Sequence, residues 1–469
     1  MARTVLDVLQ SDGIYTEAAC GGAGTCGKCL VSVDGMPCLA CQTEFRDGMK
    51  IEVRAEERFE VLGAVFDSNS DLPGGGEFGL AVDIGTTTIA FALVNSVSGK
   101  IAFSHGVVNS QRALGADVIS RIKAADEGKL ELLNRFVVED ILGGISYICR
   151  EGGVAPSAVR SMVIAGNTTM LHILLGLPCT SLGQFPFEPL FIDLQRRDFF
   201  GIFRKELLDC EVLLLPGVSA FVGADVCAGV LYGELLEGGV ERLLVDLGTN
   251  GELARFASGN YMVGTATAAG PAFEAANISC GVGSVAGAVV RARYLAERGV
   301  FECETIGGAA AVGLCGSGVL DVAAELVRHG FIDEGGAMDE DFAVAPGIWF
   351  TQKDVRELQL AKSAVRAGIE ILLLEHELSY DAVDKVYLAG GFGHSLNFES
   401  AIALGIFPEE WRGKLESVGN SSLAGCVRVL ADPEALGTLL EITGRAREIN
   451  LSEHPRFNEL FMQHIMFEK

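Results

Sequence analysis

One pattern of apolar and polar positions occurs twice along this chain. Leu80-Ala-Val-Asp-Ile-Gly-Thr-Thr-Thr-Ile-Ala-Phe-Ala-Leu-Val and Leu243-Leu-Val-Asp-Leu-Gly-Thr-Asn-Gly-Glu-Leu-Ala-Arg-Phe each open on a continuous apolar run. Each breaks at Asp-x-Gly-Thr and continues as an alternating run. The first part predicts a buried strand, the second a strand with one covered face. Asp83 and Asp246 hold matching places, so the echo predicts two similar lobes facing each other across a cleft. A third apolar run, Val386-Tyr-Leu-Ala-Gly-Gly-Phe-Gly-His, predicts a strand entering a glycine turn. Helical periodicity marks Ile119–Arg135, Val319–His329 and Val355–Leu378.

The first sixty residues follow a different pattern. Thr4-Val-Leu-Asp-Val-Leu reads as a strand or the start of a strand-helix unit. Cys29–Gly35 and Lys50–Arg54 alternate as short strands. Asp67-Ser-Asn-Ser-Asp-Leu-Pro-Gly-Gly-Gly-Glu is the clearest linker. The expected division is therefore a small domain at 1–62, a linker at 63–78, one lobe at 79–240 and a second at 241–469 with a carboxy-terminal extension. The fold class is α/β: a small mixed sheet, then a two-lobed domain.

Composition narrows the function classes. A hydrophobic content of 49% with 21% charged residues supports a large core. The net charge of −26 argues against nucleic acid and anionic membrane surfaces as partners. No apolar run approaches a membrane span, and Met1 to Gly13 lacks a hydrophobic core of signal type. A cytoplasmic location is expected.

Five of the 13 cysteines fall within the first 41 residues. Cys20, Cys26 and Cys29 bound a loop of small residues, and Cys38 and Cys41 follow. Iron–sulfur clusters take thiolate ligands, and a glycine-rich loop can wrap inorganic sulfide while aiming amide N–H groups at it. The reading is a [2Fe–2S] cluster, and a cluster loop inside a small mixed sheet is the arrangement of a β-grasp-like ferredoxin domain. A zinc site using Cys26/Cys29 and Cys38/Cys41, or a disulfide framework, are the competing readings.

The Asp-x-Gly-Thr turns suit phosphate. Gly85 permits close backbone approach, and Thr86, Thr87 and Thr88 offer donors to phosphate oxygens. Asp83 suits Mg²⁺ at the strand end. Asp246, Gly248, Thr249 and Asn250 repeat these elements, and Gly390, Gly391 and Gly393 could let adenosine lie against the backbone. Ala165-Gly-Asn-Thr-Thr-Met and Gly313-Leu-Cys-Gly-Ser-Gly precede helices and suit close helix–strand crossings.

In this order the segments resemble the acetate and sugar kinase, heat-shock chaperone and actin superfamily, with its ribonuclease H-like lobes. Its phosphate-1, connect-1, phosphate-2, connect-2 and adenosine motifs correspond to 83–88, 165–170, 246–251, 313–318 and 390–393. With the cysteine loop, Leu39-Ala-Cys-Gln-Thr, Pro216-Gly-Val-Ser-Ala-Phe-Val-Gly-Ala-Asp, Ala269-Gly-Pro-Ala-Phe-Glu and Ile278-Ser-Cys-Gly, the whole chain resembles the reductive activators of corrinoid proteins. The stretch from Cys29 to Cys41 and the connection that follows are short for that family. By the family pattern Cys20, Cys26, Cys29 and Cys41 hold the cluster and Cys38 is an extra thiol, although the shortened loop leaves exchange with Cys41 conceivable.

The resemblance implies transfer of one electron to a cobalt(II) corrinoid protein of a methyltransferase system, at the expense of ATP. It implies a low-potential electron donor and allows a homodimer. Plant-type clusters sit at roughly −400 mV. Free cobalt(II) corrinoids are harder to reduce, and each 100 mV uphill costs about 2.3 kcal/mol per electron. In this reading Asp83 and Asp246 position Mg²⁺ and the attacking water, and Asp225 and Glu274 are further catalytic candidates. Asp225 reads equally as a helix cap; His172 and His394 read as structural. The alternatives are a nucleotide-binding electron carrier or redox sensor, and a small-molecule kinase with a redox-regulated appendage.

Overall fold

The computed structural model describes residues 3–12, 14, 16, 29–53, 76–232, 239–248, 250–257, 261–390 and 396–467. Packing divides the chain into two compact units, Met1–Leu215 and Pro216–Lys469.

The first unit opens on helix α1 (Val5–Ser11). Thr4 and Asp7 form a capping box: the Asp7 N–H donates to Thr4 Oγ1 at 3.1 Å and the Thr4 N–H to Asp7 Oδ2 at 2.8 Å. Capping decides for a helix where the β-branched residues suggested a strand. Strands β1 (Leu30–Val33), β2 (Met36–Leu39) and β3 (Ile51–Glu52) pair antiparallel in the order β2-β1-β3. Val5, Leu6 and Leu9 close a small core over Cys29, Val31, Val33 and Ala40.

Positions 63–75 of the expected linker lie outside the described residues; its last residue, Phe78, already belongs to a strand. Strands β4 (Phe78–Ile84), β5 (Thr88–Asn95) and β6 (Ile101–Val108) form an antiparallel meander. Helices α2 (Val118–Ala124) and α3 (Leu130–Glu151) follow, joined by a π turn at Ala125–Lys129. Strand β7 (Val159–Gly166) then returns parallel to β4. After helix α4 (Thr168–Leu174) come β8 (Gln195–Asp198), helix α5 (Phe199–Phe203) and β9 (Glu211–Leu214). The sheet order is β6-β5-β4-β7-β9-β8, with β9 parallel to β7.

The second unit repeats this plan. It begins with helix α6 (Ala224–Val230). Strands β10 (Glu241–Leu247), β11 (Gly251–Ala257) and β12 (Tyr261–Thr267) form the meander. A smaller sheet holds β13 (Ala288–Leu295), β14 (Val300–Thr305) and β15 (Gly313–Leu314). Helix α7 (Gly316–Arg328), the hairpin of β16 (Phe342–Ala345) and β17 (Ile348–Phe350), and helix α8 (Gln352–Leu374) follow. Strand β18 (Val383–Ala389) then runs parallel to β10. Helix α9 (Phe398–Ala403) leads to β19 (Leu415–Gly419), parallel to β18. Helices α10 (Ser421–Ala431) and α11 (Ala435–Arg445), strand β20 (Arg447–Glu448) and helix α12 (Phe457–Gln463) complete the unit. The main sheet order is β19-β18-β10-β11-β12-β20.

Helix α6, at the start of the second unit, precedes its meander. Helix α6 packs on α10, which lies in the same unit. The carboxy-terminal segment is pinned to α8. Buried Lys362 donates to the carbonyls of His464 at 2.6 Å and Met466 at 2.7 Å. Among the described residues no helix is long and apolar enough to cross a membrane.

Candidate functional site

In the first unit Asp83 lies one residue before the end of the central strand, buried, in register with Ala90 on β5 and Ala165 on β7. The chain then turns through 85–87. The Gly85 N–H donates to the Thr88 carbonyl at 3.0 Å, and a Cβ on Gly85 would stand 2.7 Å from that oxygen. Only glycine fits this turn. The Asn109 side chain donates to the Gly85 carbonyl at 2.9 Å, and its N–H to the Thr87 carbonyl at 2.9 Å. Asn167 caps α4 and extends its amide toward Thr86 Oγ1 at 3.4 Å. Thr87 is exposed, and Thr86 and Thr88 are partly so. The turn therefore has a fixed backbone and accessible hydroxyls.

In the second unit Asp246 holds the corresponding place on β10, in register with Ala389 on β18 and Glu252 on β11. Strand pairing puts Leu244, Asp246, Glu252 and Ala254 on one sheet face. That face lies under α6, whose Gly229 sits over Leu244. The opposite face carries Leu243, Val245, Leu247 and Leu253 into the core. Asp225 stands in the first turn of α6 and accepts from the Val226 N–H at 2.9 Å. The cap itself is Gly223, so Asp225 does not serve as the capping residue. Burial, and then the charges of Asp225 and Asp246, push the Glu252 carboxyl well above its ordinary range, while the Asn250 side chain pulls the other way.

Gly248 and Asn250 form the turn between these strands, the Gly248 N–H donating to the Asn250 carbonyl at 2.9 Å. Gly390 has φ +89° and closes on the same carboxylate: a Cβ there would stand 2.7 Å from Asp246 Oδ1. Thr249, Gly391, Gly393 and His394 lie outside the described residues. Glu274 ends the short turn Pro271–Glu274. His172 is fully satisfied: its Nδ1 meets the Thr168 carbonyl at 2.7 Å and its Nε2 accepts from the Leu190 N–H at 3.0 Å. Burial also lowers its pKa, which fits a neutral structural imidazole.

In the small domain Cys20 and Cys26 lie outside the described residues. Cys29 and Cys41 meet, Sγ to Sγ, at 3.3 Å. Two contacts bring them together: the short helical turn Ala40–Gln42, and the Ala40 N–H, which donates to the Cys29 carbonyl at 2.8 Å. The separation exceeds a disulfide bond, and neither cysteine is part of a disulfide. Cys38 instead sits on β2 as the partner of Val31. Soft, adjacent thiols are the donor set an iron–sulfur cluster requires. Asp83 and Asp246 offer the hard oxygens Mg²⁺ prefers. Among the described residues no group of three or more His, Cys, Asp or Glu is arranged to hold a metal ion unaided.

Two residues of these sites escape sequence reasoning. Glu252 lies within the repeated segment, but its place beside Asp246 depends on strand register. Arg121 lies on α2 and is completely buried. It reaches back to the Thr86 carbonyl, 35 positions earlier.

The sheets and thiols together define a ferredoxin domain joined to an actin-like ATPase domain, and the comparisons agree. Residues 3–56 match the model for a 2Fe-2S iron-sulfur cluster binding domain, 78–237 that for the RACo middle region, and 241–469 that for the C-terminal, ASKHA domain of RACo. The chain belongs to the reductive activators of corrinoid proteins. It is 28% identical to the corrinoid activation enzyme RamQ of Eubacterium limosum, over 99% of this chain and 96% of that one. It is 24% identical to the [Co(II) methylated amine-specific corrinoid protein] reductase of Methanosarcina barkeri, over 82% and 76%. The solved structure of a reductive activator for corrinoid,iron-sulfur protein superposes with TM-score 0.75 at 28% identity, covering 100% of this chain and 96% of that one.

Proposed function

We propose that this chain uses Mg-ATP to return a corrinoid protein from cobalt(II) to cobalt(I), by delivering one electron from a [2Fe–2S] cluster. Cys20, Cys26, Cys29 and Cys41 would hold the cluster, which when bound supplies single electrons at low potential. Support comes from the 3.3 Å approach of Cys29 and Cys41, on one chain with two carboxylate-ended sheets of matching topology.

Each remaining residue has a role in this reading. Asp83 and Asp246 orient Mg²⁺ and the attacking water, with water and phosphate oxygens completing the ion's shell. Thr86, Thr87, Thr88 and Thr249 hold phosphate, and Gly390, Gly391 and Gly393 border adenosine. Asp225 adds negative charge beside Asp246. A nucleotide drives the reduction only by its differential affinity for two arrangements of the protein. The partner is a corrinoid protein, the donor a low-potential carrier, and the setting the cytoplasm.

The test is anaerobic absorption spectroscopy of a cobalt(II) corrinoid protein from the same organism. With reductant and Mg-ATP the wild-type chain should generate the cobalt(I) spectrum, and ATP turnover should rise when the partner is added. If no corrinoid protein is reduced or bound, and turnover ignores them all, the reading is wrong. Cys41→Ser should abolish the cluster absorption and Cys38→Ser should spare it; the reverse would move the fourth ligand to Cys38.

A further inference from the structure

Beneath the Gly85–Thr88 turn lies a guanidinium that solvent does not reach: Arg121 is 0% exposed. Helix α2 delivers it, started by Asp117, which accepts from the Ser120 N–H at 2.7 Å. Each of the three Arg121 guanidinium nitrogens has a partner. Nε donates to the Gly115 carbonyl at 2.9 Å, one terminal nitrogen to Gln111 Oε1 at 3.0 Å, and the other to the Thr86 carbonyl. Met170 Sδ lies 3.0 Å from the nitrogen that meets Gln111. Every one of these acceptors is neutral.

The charges acting on Arg121 from a greater distance are Asp117 and Asp140, which favour its cation, and Arg112, which opposes it. The Asp140 carboxylate is itself taken by Ser110, through its N–H at 2.7 Å and its hydroxyl at 2.8 Å. Burial lowers the Arg121 pKa to about 9, so it remains a cation at neutral pH. A cation held by neutral dipoles is costly to bury unless another charge balances it. The turn it supports presents threonine hydroxyls to solvent.

We propose that Arg121 is a positioning residue for the nucleotide's phosphates. It draws the Thr86 carbonyl inward, leaving the threonine hydroxyls to an anion, and its charge is balanced when the polyphosphate arrives. The inference rests on reading this turn as the phosphate site. It goes further in making selectivity for the number of phosphates depend on a residue that touches none of them.

The experiment is calorimetric titration of the full chain, purified anaerobically, with ATP and with AMP. A charge beneath the turn acts more strongly on three phosphates than on one. Arg121→Met should therefore reduce the preference for ATP over AMP by on the order of tenfold, while AMP affinity changes by less than about twofold. A merely structural role would weaken both nucleotides by the same factor, and that result overturns the inference. So does an unchanged preference. If wild type itself does not prefer ATP, the phosphate reading of the turn falls, and the inference with it.

Should Arg121→Met fail to fold, Arg121→Lys decides alone. A buried lysine titrates far more readily than arginine. The ATP preference of Arg121→Lys should decline as pH rises from about 6 to about 8, a window in which Arg121 keeps its charge and the wild-type preference stays level. Parallel profiles refute the proposal.

Discussion

In the first sheet Asp83 faces Ala90 across the strand pair; in the second Asp246 faces Glu252. The backbone around both aspartates is the same, a meander followed by a parallel return. The charge packed against each turn is opposite. Arg121 supports the first from within, whereas Asp225 and Glu252 crowd carboxyl groups around the second, Glu252 favouring its protonated form. On the reading proposed above, one topology serves two chemistries. A buried cation prepares a turn for an anion, and clustered carboxylates prepare one for a cation or a water proton. A duplicated fold preserves where the strands end; the residue opposite each aspartate decides what gathers there.

The comparison can be broken most severely at the aspartates. Asp83→Ala and Asp246→Ala should each lower the rate of ATP hydrolysis on the order of 100-fold or more, since on the proposed reading each removes a carboxylate that orients Mg²⁺ or the attacking water. The amino-terminal cluster spectrum should persist in both. Wild-type turnover in either would remove that half of the site.

The next test makes the first sheet resemble the second. Ala90→Glu puts a carboxylate opposite Asp83 at a position only 8% exposed. Overpacking alone should cost about 1–3 kcal/mol, read from chemical denaturation, and ATP should bind more weakly. An Ala90→Glu chain with undiminished stability and ATP affinity would mean that the sheets tolerate either charge.

The smallest effect concerns pH. Glu252 is held above the ordinary carboxyl value of 4.5, so the folded chain binds its proton where the unfolded chain has released it. Stability therefore falls as pH rises from about 4.5 through the folded value. Glu252→Gln cannot titrate. In metal-free buffer its melting temperature should decline less steeply than that of wild type over this window. Superimposable melting curves would leave Glu252 without its raised affinity for a proton.

The Asp-x-Gly-Thr echo was legible because strand, turn and returning strand are contiguous, and a local motif needs no distant partner. Helices α7 and α8 were legible from their periodicity, with ends displaced by a few residues. Helix α1 was obscured because Val5 and Val8 suggest a strand, although Thr4 and Asp7 carried the capping signal. Arg121 stayed hidden because arginine on a short helix ordinarily lies in solvent. Only the folding of α2 beneath the Gly85–Thr88 turn buries it. Glu252 was visible as a letter and invisible as a neighbour, since its effect needs Asp225 from a helix outside the meander. Cys29 and Cys41 were grouped from the family's spacing, and the short turn at 40–42 supplies the physical reason they meet.

The pinning of Lys362 bears on the order in which the chain matures. Its carbonyl partners lie 102 and 104 positions downstream. A ribosome finishes α8 long before it makes them, so the ammonium waits, either hydrated or in provisional company, while β18, β19, β20 and four further helices emerge. The first unit has all its strands by residue 214 and can fold during that interval. The second cannot close its core until the segment around 464–466 is released. Truncation upstream of it should leave a folded amino-terminal half attached to a carboxy-terminal half that chaperones and proteases still recognise as unfinished.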